Sequence, residues 1–282
     1  MKKTAATIIS AVASFILILC IVFTSVQLVI NDDVFMENEL KKTDTAASMG
    51  VSSYAVQVPA LHSLLEYMQG RADSINPDDL VLVNGEYVQM FELEIEQVHM
   101  EEVQTVWLAL VNYRNIGLAL AFVLFVLSII ICGKGALGAI LRGYLFGLAG
   151  FALLGAFVGT WAAADFDAFW VFFHRTIFPA SNNWLLPASS RMIQMLPTQF
   201  FSDVIVRICM FAVTAIVFIG IVDVIILLLG RKRKSKEEII EDDSIEIIEP
   251  EGPDILAVYK NLNLPVSQRD KVDQNSDATE EE

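Results

Sequence analysis

The sequence predicts an all-α membrane protein with four transmembrane helices and an extracellular domain that includes a small β-hairpin. Three observations lead there. Hydrophobic residues make up 55% of the 282 positions, more than a soluble domain of this size usually carries. Four apolar runs, about 6–30, 116–132, 135–163 and 204–230, suit a bilayer core about 30 Å thick, which takes roughly 20 residues at about 1.5 Å each. Lysine and arginine gather at Lys2 and Lys3, at Lys134 and Arg142, and at 231–234. Those positions precede the first run, join the second to the third, and follow the fourth, so the positive-inside rule places both termini in the cytoplasm. Segments 31–115 and 164–203 then lie outside. The formal net charge of −15 could suggest a cationic partner, but its placement is more informative than its total.

The first run, within 1–30, is about twice the length of a signal-peptide core and reads as an uncleaved helix, with a cleaved signal as the alternative. Leu19 ahead of Cys20 is too large for lipoprotein processing there. Cys20, Cys132 and Cys209 all fall in apolar runs, where a thiol behaves as a small hydrophobe. No disulfide framework or CxxC metal site is expected.

Segment 31–115 is polar and acidic. Residues 60–67 have helical spacing and hold His62, which reads as a surface or core histidine. LVLV and EYVQMF flank Asn84-Gly85, a pair suited to a two-residue type I′ turn, so a hairpin is expected over 79–91. From 91 to 115 helical spacing returns and runs into the second span. On that helix Glu96 and His99, and His99 and Glu102, are i,i+3 neighbours. A carboxylate could therefore orient His99, although an acidic solvated helix would show the same spacing.

The second and third spans, 116–132 and 135–163, join so briefly that they are expected as antiparallel neighbours. Gly143, Gly147, Gly150, Gly155 and Gly159 form a stripe that lets helices approach closely in lipid. Arg142 and Asp223 lie inside spans at similar depth and are expected to pair. Asp203 and Arg207 are spaced i,i+4 at the outer end of the fourth span.

Segment 164–203 looks built for chemistry. It begins with an aromatic group, Trp161, Phe166, Phe169, Trp170, Phe172, Phe173 and Phe178, of the kind that anchors proteins at a membrane interface. Within it sits His174, and Pro179, Pro187 and Pro197 preclude one continuous helix. The expectation is a non-helical, lipid-facing pocket carrying His174, Asn182, Asn183 and Trp184. The remainder, 231–282, is acidic after its basic start and reads as a disordered cytoplasmic tail, with 255–265 as a candidate binding motif.

VHMEEV at 98–103, FHRTIF at 173–178, and WLLP with MIQMLPTQFF over 184–201 resemble the bacterial integral membrane family of the lipoprotein intramolecular transacylase, Lit. The resemblance covers about 1–230. It implies two essential outer-face histidines, His99 and His174 by motif. Where the family pattern has Asp after the HM pair this chain has Glu102, which keeps the charge. Where it has Asp ahead of the LI-type pair this chain has Ser190, which does not.

The activity implied is transfer of the sn-2 acyl chain of a diacylglyceryl-cysteine lipoprotein onto the α-amino group of the same cysteine, giving the lyso form. The expected partners are then such lipoproteins and membrane lipid, not nucleic acid, in the cell membrane of a Gram-positive-type bacterium. No cofactor is expected. Ester aminolysis needs a free amine, and an α-amino group with pKa near 7.7–8.0 is mostly protonated at neutral pH, so a base is required. His174 or His99 is assigned as base, the other as acid or orienting partner, with Glu102 behind them. Asn182, Trp184, Arg175, Arg114 and Arg207 are candidates for binding substrate or the oxyanion. A covalent acyl-histidine route stays open.

Three other readings are weighed. A serine acyltransferase would want a GxSxG elbow, and none occurs. A metal site from His99, His174 and a carboxylate lacks HExxH or similar spacing. A non-enzymatic membrane scaffold that binds lipid or protein through its acidic outer domain is the main alternative.

Overall fold

The computed structural model describes residues 1–245, with side chains as far as Gly230. Contacts divide the chain into two units, Met1–Leu227 and Leu228–Glu282, and the site lies wholly in the first. Residues 246–282, including the candidate motif at 255–265, fall outside the described residues.

Helix α1 is Lys2–Ile30, with no acidic residue in its first turn. It ends where the backbone and side-chain amides of Asn31 both donate to the Gln27 carbonyl, satisfying an acceptor that a helix end would otherwise leave orphaned. Helix α2, Asp33–Thr43, starts on Asp32, whose carboxylate accepts from the Phe35 N–H, and ends with Lys41 and Lys42 in its last turn. Both ends thus complement the helix dipole. Helix α3, Val58–Met68, has Pro59 in its first turn, where no partner for a proline N–H is required. The His62 imidazole on α3 donates to Glu37 Oε1 on α2 at 2.9 Å, a structural tie.

The expected hairpin forms from β1, Val81–Val83, and β2, Glu86–Val88, antiparallel with Leu82 opposite Tyr87. Asn84 and Gly85 both have positive φ, 52° and 91°, as a type I′ turn requires. Val81 and Val83 point into the core while Leu82 is exposed. The Asn84 N–H donates to the Gly50 carbonyl at 2.9 Å. Gly50 has φ of +72°, and a Cβ there would press on the Asn84 side chain, so this junction favours glycine.

Helix α4, Glu94–Cys132, is followed by a single 3-10 turn, Gly133–Gly135, and by α5, Ala136–Ala164. Three helical stretches are long and apolar enough to cross a membrane: Lys2–Ile30, Glu94–Ala164 and Thr198–Gly230. The middle one contains both α4 and α5. Its first part, 94–115, carries Glu94, Glu96, Glu101, Glu102 and Arg114, so the continuous apolar character begins beyond Asn115.

Helices α4 and α5 touch each other, but each packs mainly on α1. Gly143 and Gly147 lie against Ser10, Ala11 and Ser14 of α1, and Gly117 of α4 against Cys20. Ser128 donates to the Ala6 carbonyl and Ser10 to Ser128, both at 2.7 Å. Only Gly143 and Gly147 of the glycine stripe form a packing seam, since Gly150, Gly155 and Gly159 face open space.

Two charge pairings are also corrected. Arg142 is exposed and donates to its own helix at the Gly138 carbonyl, while Asp223 is buried with Oδ2 unpartnered. Depth along two helices matched, but azimuth did not. Asp203 accepts from Lys42 at 2.7 Å and from Gln199 at 2.9 Å, whereas Arg207 faces Asp32 at 3.6 Å.

Segment 164–203 is more regular than expected. It folds into α6, Phe166–Ile177, and α7, Arg191–Met195, before α8, Thr198–Ile245. His174 therefore sits on the last turn of a helix. Asp165 caps that helix by accepting from the Ala168 N–H. Phe166, Phe169, Trp170 and Phe173 recur at helical spacing, and Pro179 lies just beyond the last turn. Helix α8 also continues past Gly230 to Ile245, into residues expected to be disordered.

A core of Met36, Leu40, Leu61, Met90, Met195 and Phe200 joins the end of α1, α2, α3, the hairpin, α7 and the start of α8. A second, of Ile18, Tyr144, Ala212 and Ile216, joins α1, α5 and α8, where the Tyr144 hydroxyl donates to the Ile216 carbonyl at 2.8 Å.

Candidate active site

Two imidazoles 75 positions apart in sequence meet in this fold. His99 lies on the second turn of α4 and His174 on the last turn of α6, with ring centroids 6.1 Å apart and planes tilted by 36°. Both residues are buried, each about 8% exposed. Phe178, one turn beyond His174, closes the gap at 5.5 Å from the His99 ring and 6.0 Å from the His174 ring. Trp170, Phe173 and Trp184 surround His174 at 4.7, 5.5 and 5.1 Å, and Phe201 backs Trp170 at 4.7 Å.

This wall fixes protonation. His174 Nδ1 lies 2.9 Å from the Trp170 carbonyl. A carbonyl only accepts, so Nδ1 carries the proton and Nε2 is left with the lone pair. Burial pushes the His174 pKa below its usual value, with the bond to Trp170 opposing. His99 is lowered to about 4 by burial first and by His174 second, with Glu102 pulling the other way. Both rings are thus neutral at neutral pH, since a dry enclosure disfavours the charged form.

Glu102 Oε2 is 4.0 Å from His99 Nδ1, too far for a hydrogen bond. Its other oxygen accepts from Asn183 Nδ2 at 2.9 Å. His99 Nδ1, Glu102 Oε2 and Trp184 Nε1 are all buried without a hydrogen-bond partner. Unpartnered buried polar atoms are uncommon and each requires a reason.

Glu96 points elsewhere. Fully buried, it accepts from the Ser190 hydroxyl at 2.6 Å, the Met192 N–H at 3.2 Å and the Leu93 N–H at 3.1 Å. It therefore ties the first turn of α4 to the start of α7. Ser190 supplies a donor that an ionised aspartate could not. Arg191 reinforces the junction through the Gln89 and Met90 carbonyls and Glu92.

Of the sequence candidates, the structure brings together His99, His174, Glu102 and Trp184. Arg114 is about 22 Å farther along α4 than His99 and bonds Asn115. Arg207 pairs with Asp32 through Nη2 at 3.6 Å, with its Nε unpartnered, and lies against the Phe35 and Phe211 rings. Arg175 and Asn182 are exposed; Asn183, not Asn182, reaches the site. Sequence reasoning also missed Trp170 and Phe178 as walls. Their i,i+4 spacing about His174 was the available signal, hidden when the segment was read as irregular.

Two cavities lie away from the imidazoles. One is small and apolar, between Phe23, Val26, Trp107, Leu110 and Arg114, and the other, about 310 Å³, is open between Asp165, Asp167 and the start of α8. Among the described residues no group of three or more His, Cys, Asp or Glu side chains is arranged to hold a metal ion.

Fold and site together define a helical protein with membrane-length apolar segments, in which a neutral imidazole pair sits in an aromatic enclosure suited to moving protons out of water. The chain belongs to the family described as lipoprotein intramolecular transacylase Lit, whose model matches residues 11–201. Among solved structures it is similar to the membrane-integral transacylase Lit of Bacillus cereus, at 15% identity and a TM-score of 0.61, covering 82% of this chain and 99% of that one. Two variants of the same Bacillus cereus protein, with one histidine replaced by arginine or by alanine, match at 16% identity and TM-scores of 0.60. They cover 82% of this chain and 95% and 96% of theirs. These likenesses concern the fold. No curated protein matches.

Proposed function

We propose that this chain is a membrane acyltransferase that moves the sn-2 acyl chain of a diacylglyceryl-cysteine lipoprotein onto that lipoprotein's own α-amino group. Helices α1, α4, α5 and α8 would make four crossings over 6–30, 116–132, 135–163 and 204–230, with both termini cytoplasmic and 31–115 and 164–203 outside. The reading rests above all on the convergence of His99 and His174 at 6.1 Å in an apolar enclosure, in a chain of the transacylase family.

The amine nitrogen attacks the ester carbonyl, and the carbonyl π pair moves onto oxygen. His174 Nε2, whose lone pair is exposed by the Nδ1 bond to Trp170, takes the proton from nitrogen. When the oxyanion collapses, the bond to the glyceryl oxygen breaks and that oxygen leaves with a proton from the imidazolium. Products are one amide and one free hydroxyl, with no water consumed. His99, biased by Glu102, orients the reacting groups or shares the proton. A positioned base contributes about 10² to 10⁴ in rate. Because amine and ester share one molecule, orientation supplies an effective molarity of roughly 10⁵ to 10⁸ M in favourable cases.

The test is to exchange His99 and His174 singly for Ala and Gln in a lipoprotein-producing host and to read lipopeptide N-termini by mass spectrometry. Loss of the lyso form at unchanged protein level supports the reading. Unchanged lyso form favours a scaffold.

A further inference from the structure

We propose that Trp184 donates, through its indole Nε1–H, the hydrogen bond that holds the oxyanion of the acyl-transfer step. The assignment rests on the reaction proposed above and names the group that reading leaves open.

Trp184 Nε1 is buried and has no partner. An indole N–H only donates, so it cannot be satisfied by exchanging roles with a neighbour. Leaving such a donor unmet in an interior forfeits the water hydrogen bond it had in the unfolded chain and is destabilising. A tryptophan that served only as a wall would incur that cost needlessly, because phenylalanine would fill much of the same space.

Its position is favourable. The indole lies against the His174 ring at 5.1 Å with 30° between planes, and the adjacent Asn183 binds Glu102. Donor, base and carboxylate are thus held by one short stretch of chain and its contacts. The other candidate donors contact neither imidazole: Arg114 is far along α4, Arg207 lies against Asp32, Phe35 and Phe211, and Arg175 and Asn182 are exposed. A neutral donor also suits the enclosure, since a guanidinium at rest in it would bear a large desolvation cost.

During the reaction the indole exchanges no proton. Its N–H···O hydrogen bond to the carbonyl oxygen shortens as negative charge develops and relaxes when the glyceryl bond breaks, so it binds the tetrahedral species better than the ester. Only that difference accelerates the step.

The experiment uses the full chain in lipid vesicles with a synthetic diacylglyceryl-cysteine peptide. Trp184→Phe keeps a ring beside His174 and removes the donor; replacement of Trp184 by benzothienylalanine does the same at nearly constant size and covers the case in which the Phe variant folds poorly. Loss of one such donor should lower kcat by about 10² to 10³-fold with KM nearly unchanged. Affinity for a peptide whose sn-2 ester is replaced by a phosphonate should fall in parallel. Full kcat in the benzothienylalanine protein overturns the assignment, and if His174→Ala is meanwhile inactive, the reaction itself stands and only the donor is wrong. Activity retained by both His99→Ala and His174→Ala removes the histidine mechanism and the donor assigned within it, and no conversion by the unaltered chain removes the reaction and this assignment together.

Discussion

Replacing Glu102 by Gln removes one charge and almost no volume. The amide carbonyl can still accept from Asn183, so the 2.9 Å contact survives and protein accumulation should be unaffected. What changes is the field at His99. A carboxylate oxygen 4.0 Å from Nδ1 stabilises an imidazolium by about 4 kcal/mol at an effective dielectric near 20. The Glu102 side chain is 27% exposed, and solvent screening reduces the figure to about 2–3 kcal/mol. If about half of the proton's charge has reached the imidazole pair at the transition state, Glu102→Gln loses about 1–1.5 kcal/mol, or about five- to thirteen-fold in kcat. The assay is single-turnover conversion of a diacylglyceryl-cysteine peptide in vesicles, followed by mass spectrometry from pH 5 to 9. The rate should rise with pH up to the substrate amine's titration near 7.7–8.0 in both proteins, with the variant lower by a constant factor. An unchanged rate would show that the Glu102 charge does not reach the reacting proton. A loss matched by lower thermal stability would make Glu102 a packing residue.

Ser190→Ala leaves Glu96 Oε1 with one donor instead of two in a fully buried position and should cost about 1–3 kcal/mol, read as a lower Tm in detergent. Ser190→Asp should be worse at neutral pH and partly recover in acid, as one carboxyl of the new pair protonates. His99 supplies a pH dependence of its own. Its folded pKa of about 4 lies below the ordinary 6.5, so between those values the unfolded chain binds the extra proton. Stability present above pH 6.5 should fall by about 3 kcal/mol on acidification to 4, and His99→Gln should flatten that part of the profile. Arg142 and Asp223 do not touch, so a double-mutant cycle between them should give a coupling below about 0.5 kcal/mol; a larger value would restore the ion pair.

Local chemistry was legible in the sequence and azimuth was not. The apolar runs at 6–30 and 135–163 matched α1 and α5 within a few residues, whereas α8 outran its run at both ends, and Asn84-Gly85 specified its turn because positive φ is accessible to Asn and Gly at low cost. His99 and Glu102 could be paired from spacing because one helix carries both. The errors came where two elements had to be rotated against each other. Arg142 and Asp223 matched in depth but faced different ways, and Gly150, Gly155 and Gly159 continued a stripe past the point where α1 covers it. Glu96 and Ser190 are 94 positions apart, and no local pattern joins a carboxylate on α4 to a hydroxyl ahead of α7. His174 was misplaced for another reason: three prolines outweighed the helical spacing of the aromatics before them, although Pro179 limits α6 without preventing it.

An enclosure that drives imidazole pKa values down makes each ring a weaker base, which draws a proton less strongly. On the proposed reaction the proton comes from nitrogen only after that nitrogen has bonded to carbon, when it is cationic and far more acidic than a free amine. A weak base is then sufficient. The same burial makes the resulting imidazolium a stronger acid, which is what the departing glyceryl oxygen needs. Water exclusion has a second consequence, since any water near the tetrahedral centre would compete as a nucleophile and turn transfer into hydrolysis. On the proposed reaction, Trp170, Phe178 and Trp184 would therefore bear on both proton transfer and outcome. Opening the wall with Phe178→Ala should raise the His99 pKa toward 6.5 and produce free fatty acid alongside the amide. Amide as the sole product at a wild-type rate would mean that the aromatic wall has no part in the partition.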